Sequence, residues 1–189
     1  MRFHLWALLL SLSTAISAEE KTVSTFEKQT SALLRLHEGD EKTAKIRKPY
    51  YDSRGFLTVG VGHNLTVNGI PEGIRISEND LKTGLNDQQI EALLQHDVQQ
   101  ALAGLKAEFP WFENLSNIRK IVLLDMCFNL GLDGLKKFKK TLAHIKNGRY
   151  EQASKEMLHS LWATQVGEIR SKRLSEMMRT NTWPKEVKT

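Results

Sequence analysis

The chain of 189 residues has one cysteine, Cys127. No disulfide can form within it, so its stability has to come from core packing. Cys127 sits in an apolar helical run with no context that would activate a thiol, and it reads as buried and inert rather than nucleophilic. Zinc-ligand spacing is also missing. The six histidines are scattered and the lone cysteine has no partner, so neither a metal nor a cofactor is expected. No repeat, coiled-coil heptad or low-complexity segment is present. Nor is there an apolar run of the roughly 20 residues that a membrane-spanning helix needs. Gly60-Val61-Gly62-His63-Asn64-Leu65 lacks the third glycine and the following helix of a dinucleotide fingerprint.

What is present suits one domain, or two lobes sharing a helix. The net charge of +5 is mild. It favours anionic partners such as wall polymer, membrane surface or nucleic acid without choosing among them. Met1–His4 carry one arginine, Leu5–Leu12 are apolar, and small residues run to Ala18. Residues 1–18 therefore read as a signal peptide for Sec export, cut near Ala18, which leaves a periplasmic or secreted protein. An uncleaved, weak N-terminal anchor is the alternative.

Periodicity and caps organise residues 19–189. Residues 22–38 read as a helix opened by a Ser24/Glu27 capping box and stopped at Gly39. Residues 40–50 form a charged loop. Residues 50–76 alternate apolar and polar around turn signals, which predicts two or three antiparallel strands, with Phe56–His63 as one of them. Residues 70–84 look irregular. Asn86 caps a long helix to about 107, and helices follow over 116–130, 135–146, 150–163 and 167–179. The period switches once, which predicts an α+β fold: an N-terminal lobe (about 22–85), a connecting helix (about 86–107) and a helical lobe (about 108–184).

The stretch from His37 to Asn64 concentrates the candidate chemistry. Glu38 lies in the last turn of its helix, where the helix dipole disfavours a negative charge, as a general acid requires. Taken alone it is more simply a surface carboxylate before a C-cap glycine. Asp52 precedes Ser53-Arg54-Gly55 and could be only a turn-former. Thr58 shares strand parity with Gly60 and Gly62, so one face carries little bulk and a ligand could approach the backbone. His63 could pair with Asp97 on the long helix in a structural role. Lys136, Lys137, Lys139 and Lys140 read as a solvated helix face.

With Glu38, Asp52 and Thr58 in this order, the chain resembles the tailed-phage lysozymes, the muramidases of glycoside hydrolase family 24. HEG at 37–39 and YYDSRGFLTVGVGHNL at 50–65 carry the likeness. QHDVQQAL, PWFENLS, MCFNLG, LKKF, GRYEQA, SLWATQVG and MRTNTW extend it over roughly residues 26–184. The resemblance implies a lysozyme-like fold and hydrolysis, with inversion, of the β-1,4 bond between N-acetylmuramic acid and N-acetylglucosamine. Glu38 would protonate the leaving oxygen, and Asp52 and Thr58 would manage the water. His63 and Asp97 would form a structural ion pair, and Arg170 would pair with the catalytic acid. Phe128, Asn129, Thr141 and Gln165 would line the cleft. The implied partner is peptidoglycan glycan. Nucleic acid, a stable membrane span after signal removal and oligomerisation are not expected, so the protein should be a monomer. Asp40–Lys45 departs from the family pattern as an insertion, which costs little closure entropy. Two alternatives remain open at this point: a lytic transglycosylase, and a non-enzymatic basic protein that binds the wall.

Overall fold

The computed structural model of the protein describes residues 26–38, 46–52 and 55–188. The expected signal peptide, Ser24, Gly39, the Asp40–Lys45 insertion and Ser53-Arg54 lie outside the described residues. Residues 26–38 form helix α1, which buries Leu33 and Leu34. Three short antiparallel strands follow in the order β1-β2-β3: β1 Tyr50–Tyr51, β2 Leu57–Val59 and β3 His63–Asn64. Tyr50 pairs with Thr58, and Val59 pairs with His63.

The alternating run Phe56–His63 is therefore not one strand. It folds back at Gly60–Gly62, where Gly60 (φ 60°) and Gly62 (φ 80°) adopt left-handed backbone that side chains disfavour. The expected low-bulk face made by Thr58, Gly60 and Gly62 does not form, because the two glycines belong to the turn and Thr58 is only 3% exposed. Gly62 has a second constraint. A Cβ there would lie 3.3 Å from Cε1 of Phe128, so the hairpin tip packs directly on the helical part of the chain.

Helix α2 (Leu65–Asn68) and helix α3 (Glu78–Thr83) occupy a region expected to be sheet and irregular chain. Helix α3 forms because Ser77 and Asp80 make a reciprocal capping box. Helix α4, Asp87–Glu108, opens on the Asn86 cap and buries Ile90, Leu93, Leu94, Val98 and Leu105 along one side. Its length is about 33 Å at 1.5 Å per residue, enough to run from the sheet to the helical lobe.

The helical lobe contains α5 (Asn117–Leu130), α6 (Leu132–Lys136), α7 (Lys139–Lys146), α8 (Tyr150–Leu158), α9 (Leu161–Val166) and α10 (Glu168–Thr180). Helix α5 is buried at every position from Ile121 to Cys127 and forms the centre of the lobe. Two expected helices are each broken in two. The 135–146 helix breaks at Lys137–Phe138, where the Phe138 ring turns edge-on to Trp162, 6.2 Å away. The 150–163 helix breaks at His159–Ser160, where the Ser160 hydroxyl caps α9 at the Ala163 N–H. The architecture is α+β, with one small sheet and a helical lobe, as the sequence predicts. Among the described residues no helix is long and apolar enough to cross a membrane.

Candidate active site

Glu38, the last described residue of α1, heads a chain of ionic and hydrogen-bonded contacts that is most deeply buried at Asp125. Its Oε1 accepts from Arg170 Nη1 at 3.0 Å. The same guanidinium turns two more donors to Asp125 Oδ1, Nε at 3.1 Å and Nη2 at 2.9 Å. Asp125 is 1% exposed and sits among the apolar residues of α5, where an uncompensated charge would be costly. Its other oxygen, Oδ2, lies 2.6 Å from His37 Nδ1. His37 Nε2 in turn lies 2.9 Å from Arg173 Nη1, and Arg173 Nε donates to Glu186 Oε1. A guanidinium can only donate, so His37 Nε2 accepts and the ring proton on Nδ1 goes to Asp125. Burial opposes the charge on Arg170, but the carboxylates of Asp125 and Glu38 outweigh it and hold its pKa above the ordinary arginine value.

The second candidate acid, Asp52, directly follows β1. Asp52 Oδ1 accepts from the Phe56 N–H at 2.9 Å, so this carboxylate does close the turn that its sequence context suggests. Thr58 donates its hydroxyl proton to the Phe56 carbonyl at 3.1 Å. Tyr50, opposite Thr58 in the sheet, has its phenol pKa raised by burial and further by the negative charges of Glu38 and Asp52. A single side chain thus feels both acids.

His63 and Asp97 do pair: Nδ1 lies 2.9 Å from Oδ2, and Nε2 lies 2.7 Å from the Gly69 carbonyl. They fasten β3 to α4 beside a cleft of about 640 Å³. Gly62, Asn64, Asp97, Gly104, Phe128 and Asn129 contribute to its walls, so sheet, long helix and helical lobe all border it. Asn129 is oriented by Trp162, whose Nε1 donates to Oδ1 at 3.2 Å. Glu38, Asp52 and Thr58 are not among the residues lining this volume. Thr141 is buried in the first turn of α7, and Gln165 is exposed on α9. Cys127 borders the cleft but is 4% exposed, and burial pushes its thiol up to about 11. Among the described residues no cluster of His, Cys, Asp or Glu is arranged to hold a metal ion.

The phage lysozyme family profile matches residues 40–179, a span holding Asp52, Thr58, Asp97, Phe128 and Arg170 and starting two residues after Glu38. The chain belongs to the phage lysozyme family. It is a glycosidase of the lysozyme type, acting on cell wall. Probable T4-type lysozyme 2 of Dictyostelium discoideum is 27% identical over 164 residues, covering 79% of this chain and 93% of that protein. The pre-baseplate central spike protein of Enterobacteria phage T4 is 24% identical over 170 residues, 82% of this chain and 30% of the spike protein. A peptidoglycan hydrolase of Enterobacteria phage SP6 is 29% identical over 126 residues, 64% of this chain and 13% of that protein.

Sequence reasoning missed His37, Tyr50, Asp125, Trp162 and Arg173. Asp125 does leave a trace in the sequence of this phage lysozyme relative: one carboxylate inside the apolar run Ile121–Cys127 has to find a partner. Nothing in the sequence names that partner, since His37 lies 88 positions away.

Proposed function

We propose that this protein hydrolyses the β-1,4 bond between N-acetylmuramic acid and N-acetylglucosamine in peptidoglycan, with inversion. Glu38 serves as general acid and protonates the leaving oxygen. Asp52 stabilises the positive charge that develops on the sugar ring and orients the attacking water. Thr58 has committed its hydroxyl proton to Phe56, so its oxygen offers lone pairs to that water. Inverting glycosidases separate their two carboxyl groups by about 6.5–9.5 Å to admit the water. The observation that supports this reading is the ion pair that fixes Glu38 near the sheet edge carrying Tyr50. Arg170 holds Glu38 at 3.0 Å, while Tyr50 feels the charges of Glu38 and Asp52 together. Glycan would run from that edge along the cleft past Phe128 and Asn129, with Thr141 and Gln165 further along the helical lobe. The work takes place in the periplasm or outside the cell, reached by Sec export of residues 19–189 as a monomer.

Zymography on peptidoglycan, with the wild type beside Glu38→Gln, tests the assignment. The variant should keep its fold and lose on the order of 10²–10⁴-fold or more in clearing rate. Undiminished clearing removes Glu38 from the mechanism. Product analysis tests the water: new reducing ends are expected, and 1,6-anhydro ends would make the enzyme a transglycosylase.

A further inference from the structure

A general acid has to hold its proton until the bond breaks, yet Glu38 touches a buried guanidinium, which favours the ionised form. The structure contains a counterweight that this reading of Glu38 does not use. Arg170 gives one donor to Glu38 and two to Asp125, and Asp125 is the more deeply buried of the two acids. Asp125 is itself held on its far side by the His37 ring, and that ring is fixed by Arg173. We infer that Asp125, oriented by His37, is a positioning residue that offsets the charge of Arg170 so that Glu38 retains its proton at the pH of catalysis. The inference rests on the assignment of Glu38 as the acid.

The charge inventory around the group supports it. From α1 come Glu38 and His37, from α5 Asp125, from α10 Arg170 and Arg173, from the C-terminal tail Glu186, and from the sheet side Tyr50 and Asp52. Without Asp125, the Arg170 guanidinium has Glu38 as its one remaining carboxylate, and its charge acts on Glu38 undivided, while Arg173 stays paired with Glu186. Glu38 then gives up its proton at lower pH. Asp125 and His37 touch no substrate; they act through Arg170.

The pH–rate profile of peptidoglycan hydrolysis separates this role from simple support of the fold. In Asp125→Asn the alkaline limb should move down by about one pH unit or more, because an opposite charge within hydrogen-bonding reach shifts a carboxyl by that order. A folded Asp125→Asn protein whose limb stays in place, with only a lower plateau, overturns the inference while leaving Glu38 as the acid. Clearing by Glu38→Gln instead overturns the assignment of Glu38 and this inference with it. If Asp125→Asn does not fold, the decision passes to the Arg170 Nε–H signal in Glu38→Gln, read by NMR exchange. Slow exchange there shows that Asp125 anchors the guanidinium without Glu38, as the inference requires. Fast exchange shows that Glu38 was its anchor and rejects it.

Discussion

Two histidine–aspartate pairs in this protein look alike and behave differently. His63 Nδ1 faces Asp97 at 2.9 Å, and His37 Nδ1 faces Asp125 at 2.6 Å. Both rings are buried. The second nitrogen separates them. His63 Nε2 meets the Gly69 carbonyl, an acceptor, whereas His37 Nε2 meets the Arg173 guanidinium, a donor. An acceptor on each side asks His63 for two protons. Burial pulls its pKa down and is the largest single influence, but the bonds to Asp97 and Gly69 and the charge of Asp97 together raise it above the ordinary value. His37 is left with one proton to give, which goes to Asp125 Oδ2 while Oδ1 faces Arg170. The lesson is that the far nitrogen decides whether such a pair is a charged strut or a directed acceptor.

That contrast can be broken at either pair. The largest effect is expected from Asp125→Ala, which leaves the buried Arg170 with two donors unpaired and deprives His37 of its acceptor. Urea unfolding should show a loss of about 3–5 kcal/mol, the usual cost of removing one partner of a buried ion pair. Asp97→Asn should cost about 2 kcal/mol near pH 5, the range for a hydrogen bond to a charged group. That penalty should shrink on the alkaline side. The folded pKa of His63 lies above its unfolded value, so the contribution is complete below about pH 6.5 and fades as pH rises through the folded value. A penalty independent of pH would mean that His63 carries no charge in this pair. Gly62→Ala probes the same pair indirectly. Its left-handed backbone and the 3.3 Å approach to Phe128 predict a loss of about 1 kcal/mol, visible as a lower urea midpoint, as the hairpin carrying His63 shifts on α4.

Helices carried by apolar periodicity and a capping residue were legible in the sequence. Asn86 caps α4 as predicted, and α5 begins within one residue of its expected start at Ser116, because a cap is a local interaction. The hairpin was not legible, because Gly60 and Gly62 continue an apolar alternation while reversing the chain. Alternation alone cannot distinguish a long strand from two short ones joined by a glycine turn. Helix α3 was readable in principle from Ser77 and Asp80 but sits in a segment with little apolar periodicity. The break before α7 goes with the tertiary contact of Phe138 on Trp162, which no local pattern records, whereas the break before α9 is marked by a local cap, Ser160, that the apolar periodicity hid. At the site, Glu38 and Arg170 lie 132 positions apart, and only the family resemblance joined them in advance. The Asp125–His37–Arg173 chain had no such guide, and it needed the three helices in place.

The buried thiol of Cys127 has a practical consequence. With its pKa raised to about 11 and its surface 4% exposed, it reacts with alkylating reagents only when the packing around α5 opens. The enzyme therefore carries a native stopwatch. The rate of thiol trapping in otherwise unlabelled protein counts the openings of the helical lobe beside the cleft, and adding a glycan ligand to that cleft would be read as a slower tick.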